Sequence, residues 1–296
     1  MTSFIFGEAM LEYHSHGSSG LRYGGDTLNT AIHMARAGHD VAYVTALGTD
    51  PISDALVAAW AAEGIDTRFV LRHPTRSPGI YAIHLDENGE RSFLYWRDRS
   101  AAREMFALPG MADAVAAARE AEMLYFSLIS LAVVDEAGRD ALVGLARDVK
   151  AAGKTVAYDS NYRPLLWPDP AAAQAASRAA TQAATLGLPT NVDEQQIYGD
   201  ARSEEQIAAN WQGEGCSLVV VKAGETGCLI AEAGSEPMRQ AAKQIAVVDT
   251  SGAGDAFNAG FLSAYLDGRD IADCAEAGQA QSREVLQHHG AVPPRG

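Results

Sequence analysis

Apolar segments of strand length alternate with longer helix-like stretches from one end of the chain to the other. Strand-like runs fall at 4–6, 41–46, 123–126, 155–158, 186–188, 218–221, 228–231 and 245–248. Helical segments lie between them at 28–37, 54–63, 112–120, 135–151, 171–183 and 204–211, and two more, 253–266 and 271–286, close the chain. Strand–helix alternation implies a mainly parallel sheet, because each parallel crossover supplies a helix that covers one face. The pattern therefore predicts an α/β fold with a mainly parallel central sheet between two helical layers. The alanine-rich tract at 171–184 is a good helix former, not a disordered segment.

The rhythm breaks twice. Residues 10–23 form a polar, Gly/Ser-bearing stretch with no helical pattern, and residues 80–85 and 91–97 read as two strands joined through Glu87-Asn88-Gly89. These segments predict a small β appendage, about residues 10–24 and 78–98, inserted in one domain spanning 1–296. Register decides what the hairpin presents. A two-residue Asn88-Gly89 loop sets Tyr81 opposite Trp96, whereas a three-residue Glu87-Asn88-Gly89 loop sets it opposite Tyr95. The second is preferred, since it gathers Tyr81, Tyr95 and Arg97 on one face.

Composition narrows the classes. At 296 residues and 47% hydrophobic, the chain suits one large core with a small appendage. No apolar run reaches the roughly 20 residues that cross a bilayer, and the start, Met1-Thr2-Ser3-Phe4, lacks the basic region of a signal peptide. Three cysteines (Cys216, Cys228, Cys274) show no metal-ligand spacing, and their odd number argues against a disulfide framework. A cytoplasmic setting is expected. The net charge of −15 makes nucleic acid or an anionic membrane a poor partner. An anionic small substrate remains open, because local arginines can overrule the global field.

The strongest chemical signal is Asp249-Thr250-Ser251-Gly252-Ala253-Gly254-Asp255, where the 245–248 run enters a small-residue turn and a helix follows. Gly252 and Gly254 let the backbone approach a ligand, and the amides at the helix start form an anion site. Asp255, in the first helical turn, is placed to take a proton from an alcohol; an ordinary Gly-rich turn with an acid favoured by the helix dipole is the plain alternative. Asp159-Ser160-Asn161-Tyr162-Arg163-Pro164 follows a strand at the edge where ligands bind in such folds. Pro164 holds Arg163 extended, suiting its guanidinium to a carboxylate or phosphate, or to a neighbouring surface acid. Lys222-Ala223-Gly224-Glu225-Thr226-Gly227 ends another strand, with Lys222 either meeting a phosphate or lying solvated. Asn191-Val192-Asp193-Glu194 is a polar cluster able to start a helix.

Two separated segments bear a family resemblance. The run from Asp249 to Gly260 resembles the C-terminal signature of ribokinase-like (PfkB) sugar kinases, and Gly24-Gly25-Asp26-Thr27-Leu28-Asn29 with Gly48-Thr49-Asp50 resembles the N-terminal one. The resemblance covers essentially the whole chain and implies a ribokinase-like three-layer sandwich whose β appendage is a lid. It further implies that Asp255 is the catalytic base and that the amides of Gly252, Ala253 and Gly254 form the anion hole. Asn161, Lys222, Gly224 and Gly227 would serve ATP, and Asn191 and Glu194 would influence Mg²⁺ through water. A monovalent cation such as K⁺ near Asp249 and Gly290-Ala291, and a homo-oligomer formed through the lid, are family-level implications.

Gly24 to Thr30, Tyr81, the strand through Tyr95 to Arg97, and Asn161-Tyr162-Arg163 resemble the 2-keto-3-deoxygluconate kinase branch in particular. That branch implies that Arg97 and Arg163 engage the sugar-acid carboxylate, Tyr81 and Tyr95 its hydroxyls, and Gly25 and Asp26 the sugar pocket. The expected reaction is ATP-dependent phosphorylation of the terminal primary hydroxyl, with Asp255 ionised at neutral pH because the helix N-terminus lowers its pKa. A fructokinase or other neutral-sugar or nucleoside kinase is the first alternative, which the two arginines disfavour. A non-catalytic sugar-acid sensor has no need of Asp255, and a dinucleotide oxidoreductase lacks its Gly-x-Gly-x-x-Gly spacing.

Overall fold

The computed structural model describes residues 2–14, 22–85 and 91–295. Its strands are β1 (Thr2–Phe6), β2 (Met10–His14), β3 (Arg22–Gly24), β4 (Asp40–Leu47), β5 (Ile65–Asp66), β6 (Val70–Arg72), β7 (Gly79–Leu85), β8 (Arg91–Trp96), β9 (Met123–Ser127), β10 (Thr155–Asp159), β11 (Leu186–Gly187), β12 (Leu218–Lys222), β13 (Cys228–Glu232) and β14 (Met238–Gln240). The helices are α1 (Asp26–Arg36), α2 (Pro51–Ala62), α3 (Met111–Arg119), α4 (Leu128–Val133), α5 (Glu136–Ala151), α6 (Pro170–Ala183), α7 (Asn191–Tyr198), α8 (Glu204–Glu214), α9 (Ala253–Leu266) and α10 (Ile271–Leu286).

The main sheet runs β14-β13-β12-β11-β10-β9-β1-β4-β5, with β6 also on β4. Its pairs from β12 through β5 are parallel, while β13 and β14 join antiparallel at one end. Alternation across the pleat divides the interior into two cores. Phe4, Phe6, Leu124, Phe126, Val219 and Val221 pack beneath α3–α6 and α8, against Ala118, Leu142, Ala180 and Trp211. Ile5, Met123, Tyr125, Leu218 and Val220 pack on the other face with Ile32, Trp60, Phe261 and Cys274 of α1, α2, α9 and α10. Burial on both faces is why these strands read as continuous apolar runs rather than alternating ones.

One expected strand is absent. The run 245–248 is irregular, and its Val247 and Val248 are about half exposed. The sheet ends at β14 beside β13, and the run adds no strand to it. The amides of Val248 and Asp249 donate to the Leu286 carbonyl at 2.8 and 3.3 Å, tethering the segment to the end of α10.

A second sheet has the order β3-β2-β7-β8, antiparallel except for the β2–β7 pair. Tyr81 lies opposite Tyr95 and Ile80 opposite Trp96, the preferred register; the turn Glu87-Asn88-Gly89 lies outside the described residues. Glu12, Tyr81 and Tyr95 therefore share one face, and Tyr13, Ile80, Leu94 and Trp96 the other.

Candidate active site

The parallel strands β1, β9, β10 and β12 end at the same edge of the main sheet, where α1, α7 and α9 begin. Helix N-termini gathered beyond strand carboxyl ends make an anion-attracting crevice. At its centre Gly252 caps α9 with φ 70°. A Cβ there would lie 2.3 Å from that of Ala291, so both the conformation and the close approach require glycine. The first amides of α9 have no acceptor within the helix; the Ala253 amide makes a long 3.4 Å bond to Thr250. Asp249 shapes the turn by accepting from the Ser251 amide at 2.8 Å and the Gly290 amide at 2.9 Å.

Asp255 lies in the first turn of the helix and is buried. Asn29 Nδ2 donates to its carboxylate at 2.8 Å, and Thr30 Oγ1 to its carbonyl at 3.2 Å, tying α9 to α1. Burial, then the nearby charges of Asp26 and Asp159, push its pKa up to about 8, against the opposing effects of Asn29 and Lys222. The expectation that the helix dipole would lower it is overturned: desolvation and like charges outweigh the dipole. Asp26, at the start of α1, accepts from Ser127 Oγ at 2.5 Å and from Asn161 Nδ2 at 3.1 Å. Asn161 thus serves first as a donor to Asp26.

Lys222 is buried and is not a solvated strand end. Its ammonium donates to Asp159 at 3.0 Å and to Asn258 at 2.9 Å, and Asn258 Nδ2 returns a 2.9 Å bond to Asp159. Its Nζ would be 4.0 Å from a Cβ on Gly254, which sets the charge beneath the glycine turn. Gly224 and Gly227 form the tight β12–β13 connection, where a Cβ on Gly227 (φ 103°) would meet the Gln240 carbonyl at 2.0 Å.

The four residues from Asn191 to Glu194 begin α7, as their polarity allowed, but they divide between two environments. Asp193 feels Asp159, Arg163 and Lys222; burial raises its pKa to about 6. Glu194 instead bonds Trp211 and sits between α6, α7 and α8 near Arg202, where burial raises its pKa to about 7. Consecutive helical positions are about 100° apart, so the two acids cannot face the same way. The placement of Glu194 therefore does not support its expected influence on a metal ion. Asn191 turns its Oδ1 to the Val192 amide at 2.8 Å.

Arg163 is exposed, 3.8 Å from Asp193, and donates to the Tyr162 carbonyl at 2.7 Å. Arg97 is buried in an ion pair with Glu8. Gly25, with φ 151°, stacks its backbone on Glu8, whose carbonyl would lie 2.4 Å from a Cβ. Tyr81 donates to Glu12, stands with its ring centroid 6.0 Å from that of Tyr95, and has a pKa raised by burial and by Glu12. One crevice thus gathers Gly25, Asp26, Asn161, Lys222, Gly252–Gly254 and Asp255, with the tyrosine face of the small sheet turned toward it. Glu8, Asn29, Asp159 and Asn258 were not singled out from the sequence. Their signal was position: Glu8 and Asp159 lie at strand carboxyl ends, and Asn29 and Asn258 inside the two quoted motifs.

The profile of the pfkB family carbohydrate kinases matches residues 11–295. The chain is 36% identical to the 2-dehydro-3-deoxygluconokinase of Haemophilus influenzae, covering 97% of this chain and 94% of that protein. It is likewise 36% identical to the enzyme of that name from Escherichia coli, over 98% and 96%. The crystal structure of a PfkB protein from Polaromonas sp. superposes with a TM-score of 0.85 at 28% identity, over 97% of this chain and 96% of that one. The chain belongs to the pfkB family of carbohydrate kinases, and its fold is ribokinase-like.

Proposed function

We propose that this protein is an ATP-dependent kinase for the terminal primary hydroxyl of 2-keto-3-deoxygluconate, giving the 6-phosphate. The observation that carries the kinase chemistry is the buried Asp255 carboxyl beside the Gly252–Gly254 turn. The substrate rests on Arg163, Arg97, Tyr81 and Tyr95 around that crevice, and on the printed names of relatives aligned over nearly the full chain. ATP would lie along the strand ends, with its phosphates over the α9 amides and the Gly224–Gly227 connection beside it.

Ionised Asp255 takes the hydroxyl proton as that oxygen bonds to the γ-phosphorus, and the bond to the leaving ADP oxygen breaks. The amides of Gly252, Ala253 and Gly254, with Lys222 beneath, stabilise charge on the transferring group. Mg²⁺ would neutralise phosphate charge; Asp193 and Asp159 are the acids here that fit its neighbourhood, with Asn191 at the helix start. Among the described residues no group of three or more His, Cys, Asp or Glu is placed to hold an ion, so phosphates would supply most of its ligands. A K⁺ ion near Asp249 would share a carboxylate already held by two amides.

A base is most effective when its pKa lies near the working pH, so the raised value suits Asp255 to its role. Its ionised fraction grows as pH rises, and the pH profile of kcat/KM should climb through about 8 and then level. Asp255→Asn should lose at least about 10³-fold in turnover while still binding ATP; near-parental turnover removes the base assignment, whereas an acid limb below pH 5 contradicts the raised pKa.

Arg163 brings an exposed guanidinium, only loosely paired with Asp193 at 3.8 Å, to the crevice mouth. Arg163→Ala should raise KM for the sugar acid about 10–100-fold with little change in KM for ATP; an unchanged sugar-acid KM contradicts carboxylate recognition. A neutral-sugar kinase is the second reading, favoured by one observation: Glu8 cancels the charge of Arg97.

The outer face of the small sheet exposes Tyr13, Leu94 and Trp96 by 59, 58 and 60%, a patch suited to the same face of a second copy. Trp96→Glu should turn a dimer into a monomer by light scattering without unfolding it. A monomeric parent protein removes the lid-dimer reading.

A further inference from the structure

Glu8 lies just past the end of β1 and Arg97 just past the end of β8, so their ion pair joins the edge of the main sheet to the small sheet. Both side chains are buried, 1% exposed for Glu8 and 7% for Arg97, and Arg97 Nη2 donates to Glu8 Oε2. Two glycines make room for the pair. A Cβ on Gly79 would sit 3.1 Å from Arg97 Cβ and 3.3 Å from Glu8 Oε1, and Gly25 presses on the Glu8 carbonyl. The Tyr95 ring stands 5.9 Å from the Arg97 guanidinium carbon. The pairing is incomplete: Glu8 Oε1 and Arg97 Nε have no hydrogen-bond partner among the described residues.

We infer that Glu8 is a positioning residue for sugar recognition, holding Arg97 in the pocket wall and cancelling its charge. Arg97 then offers the sugar directed N–H donors, while the exposed Arg163 carries the charge that attracts a carboxylate. A guanidinium has five N–H donors in a fixed fork, so a carboxylate on one nitrogen leaves others for a ligand. Without Glu8, a buried guanidinium would be uncompensated and would move toward water or another acid such as Glu12. The inference rests on the proposed sugar position between Gly25, Asp26, the small sheet and Arg163.

Steady-state kinetics on Glu8→Ala, Glu8→Gln, Arg97→Ala and the Glu8→Ala/Arg97→Ala double variant test it. Glu8→Ala should raise KM for the sugar about tenfold, leave KM for ATP unchanged, and be no worse when combined with Arg97→Ala. Glu8→Gln keeps an acceptor of the same shape and should restore most of the sugar KM. By uncovering the charge of Arg97, it should also shift the kcat/KM ratio of the sugar acid over a neutral keto sugar at least about threefold toward the acid. Additive losses, an unchanged sugar KM, or an equal rise in both KM values would overturn the inference. If Glu8→Ala does not fold, the Glu8→Gln ratio decides alone, and an unchanged ratio overturns it. A parent enzyme that ignores the sugar acid refutes the proposed substrate instead, and the cycle is then read on whichever sugar it does phosphorylate.

Discussion

Asp159 and Asp255 are buried at one edge of the sheet with Asp26 half-buried beside them, and the bonds that make this tolerable set the geometry around them. Burying a carboxylate without a partner is costly enough that the group either pairs or stays protonated. Asp159 pairs, with Lys222 and Asn258. Asp26 collects donors from Ser127 and Asn161. Asp255 has the Asn29 amide and otherwise keeps its proton more tightly. These bonds connect β9, β10, β12, α1 and α9, so the network that manages the charges also locks the crevice walls together. Proton affinity and shape come from the same contacts.

Much of the fold was legible because its strands are buried on both faces. Phe4-Ile5-Phe6 and Val219-Val220-Val221 announce themselves as unbroken apolar runs, and a parallel sheet then requires the helices between them. The 245–248 run failed by the same logic. Four apolar residues satisfy the pattern, but pairing is not a local property, and the segment is instead tethered to the end of α10. Helix α4 was equally hidden: its six residues are all buried, so no amphipathic period marks it. The hairpin register was recoverable because one-residue slippage would have put Tyr81 and Tyr95 on opposite faces.

The site was legible as a set of motifs and less so as an electrostatic object. Gly252 and Asp255 could be placed at a helix start from sequence, and the helix dipole is a local effect that can be read there. What the dipole competes with is not local: Asp26 and Asp159 come from positions more than 90 residues away, and only the fold brings them close. The same holds for Lys222, whose partners Asp159 and Asn258 lie 63 and 36 residues distant. Glu8 and Arg97, 89 residues apart, carry no shared sequence signal at all. For Asp193 and Glu194 the difficulty was angular, since nothing in a four-residue cluster says which acid α7 will turn toward the crevice.

Phosphoryl transfer to a sugar acid is read out by ADP release in the presence of ATP and Mg²⁺. The protein would be offered 2-keto-3-deoxygluconate, fructose, ribose and adenosine separately, at equal concentration. Turnover with the keto-deoxy acid should stand well above that with any of the neutral compounds. Turnover favouring fructose, ribose or adenosine would contradict the assigned substrate, and binding of the acid without ADP release would contradict the catalytic role of Asp255.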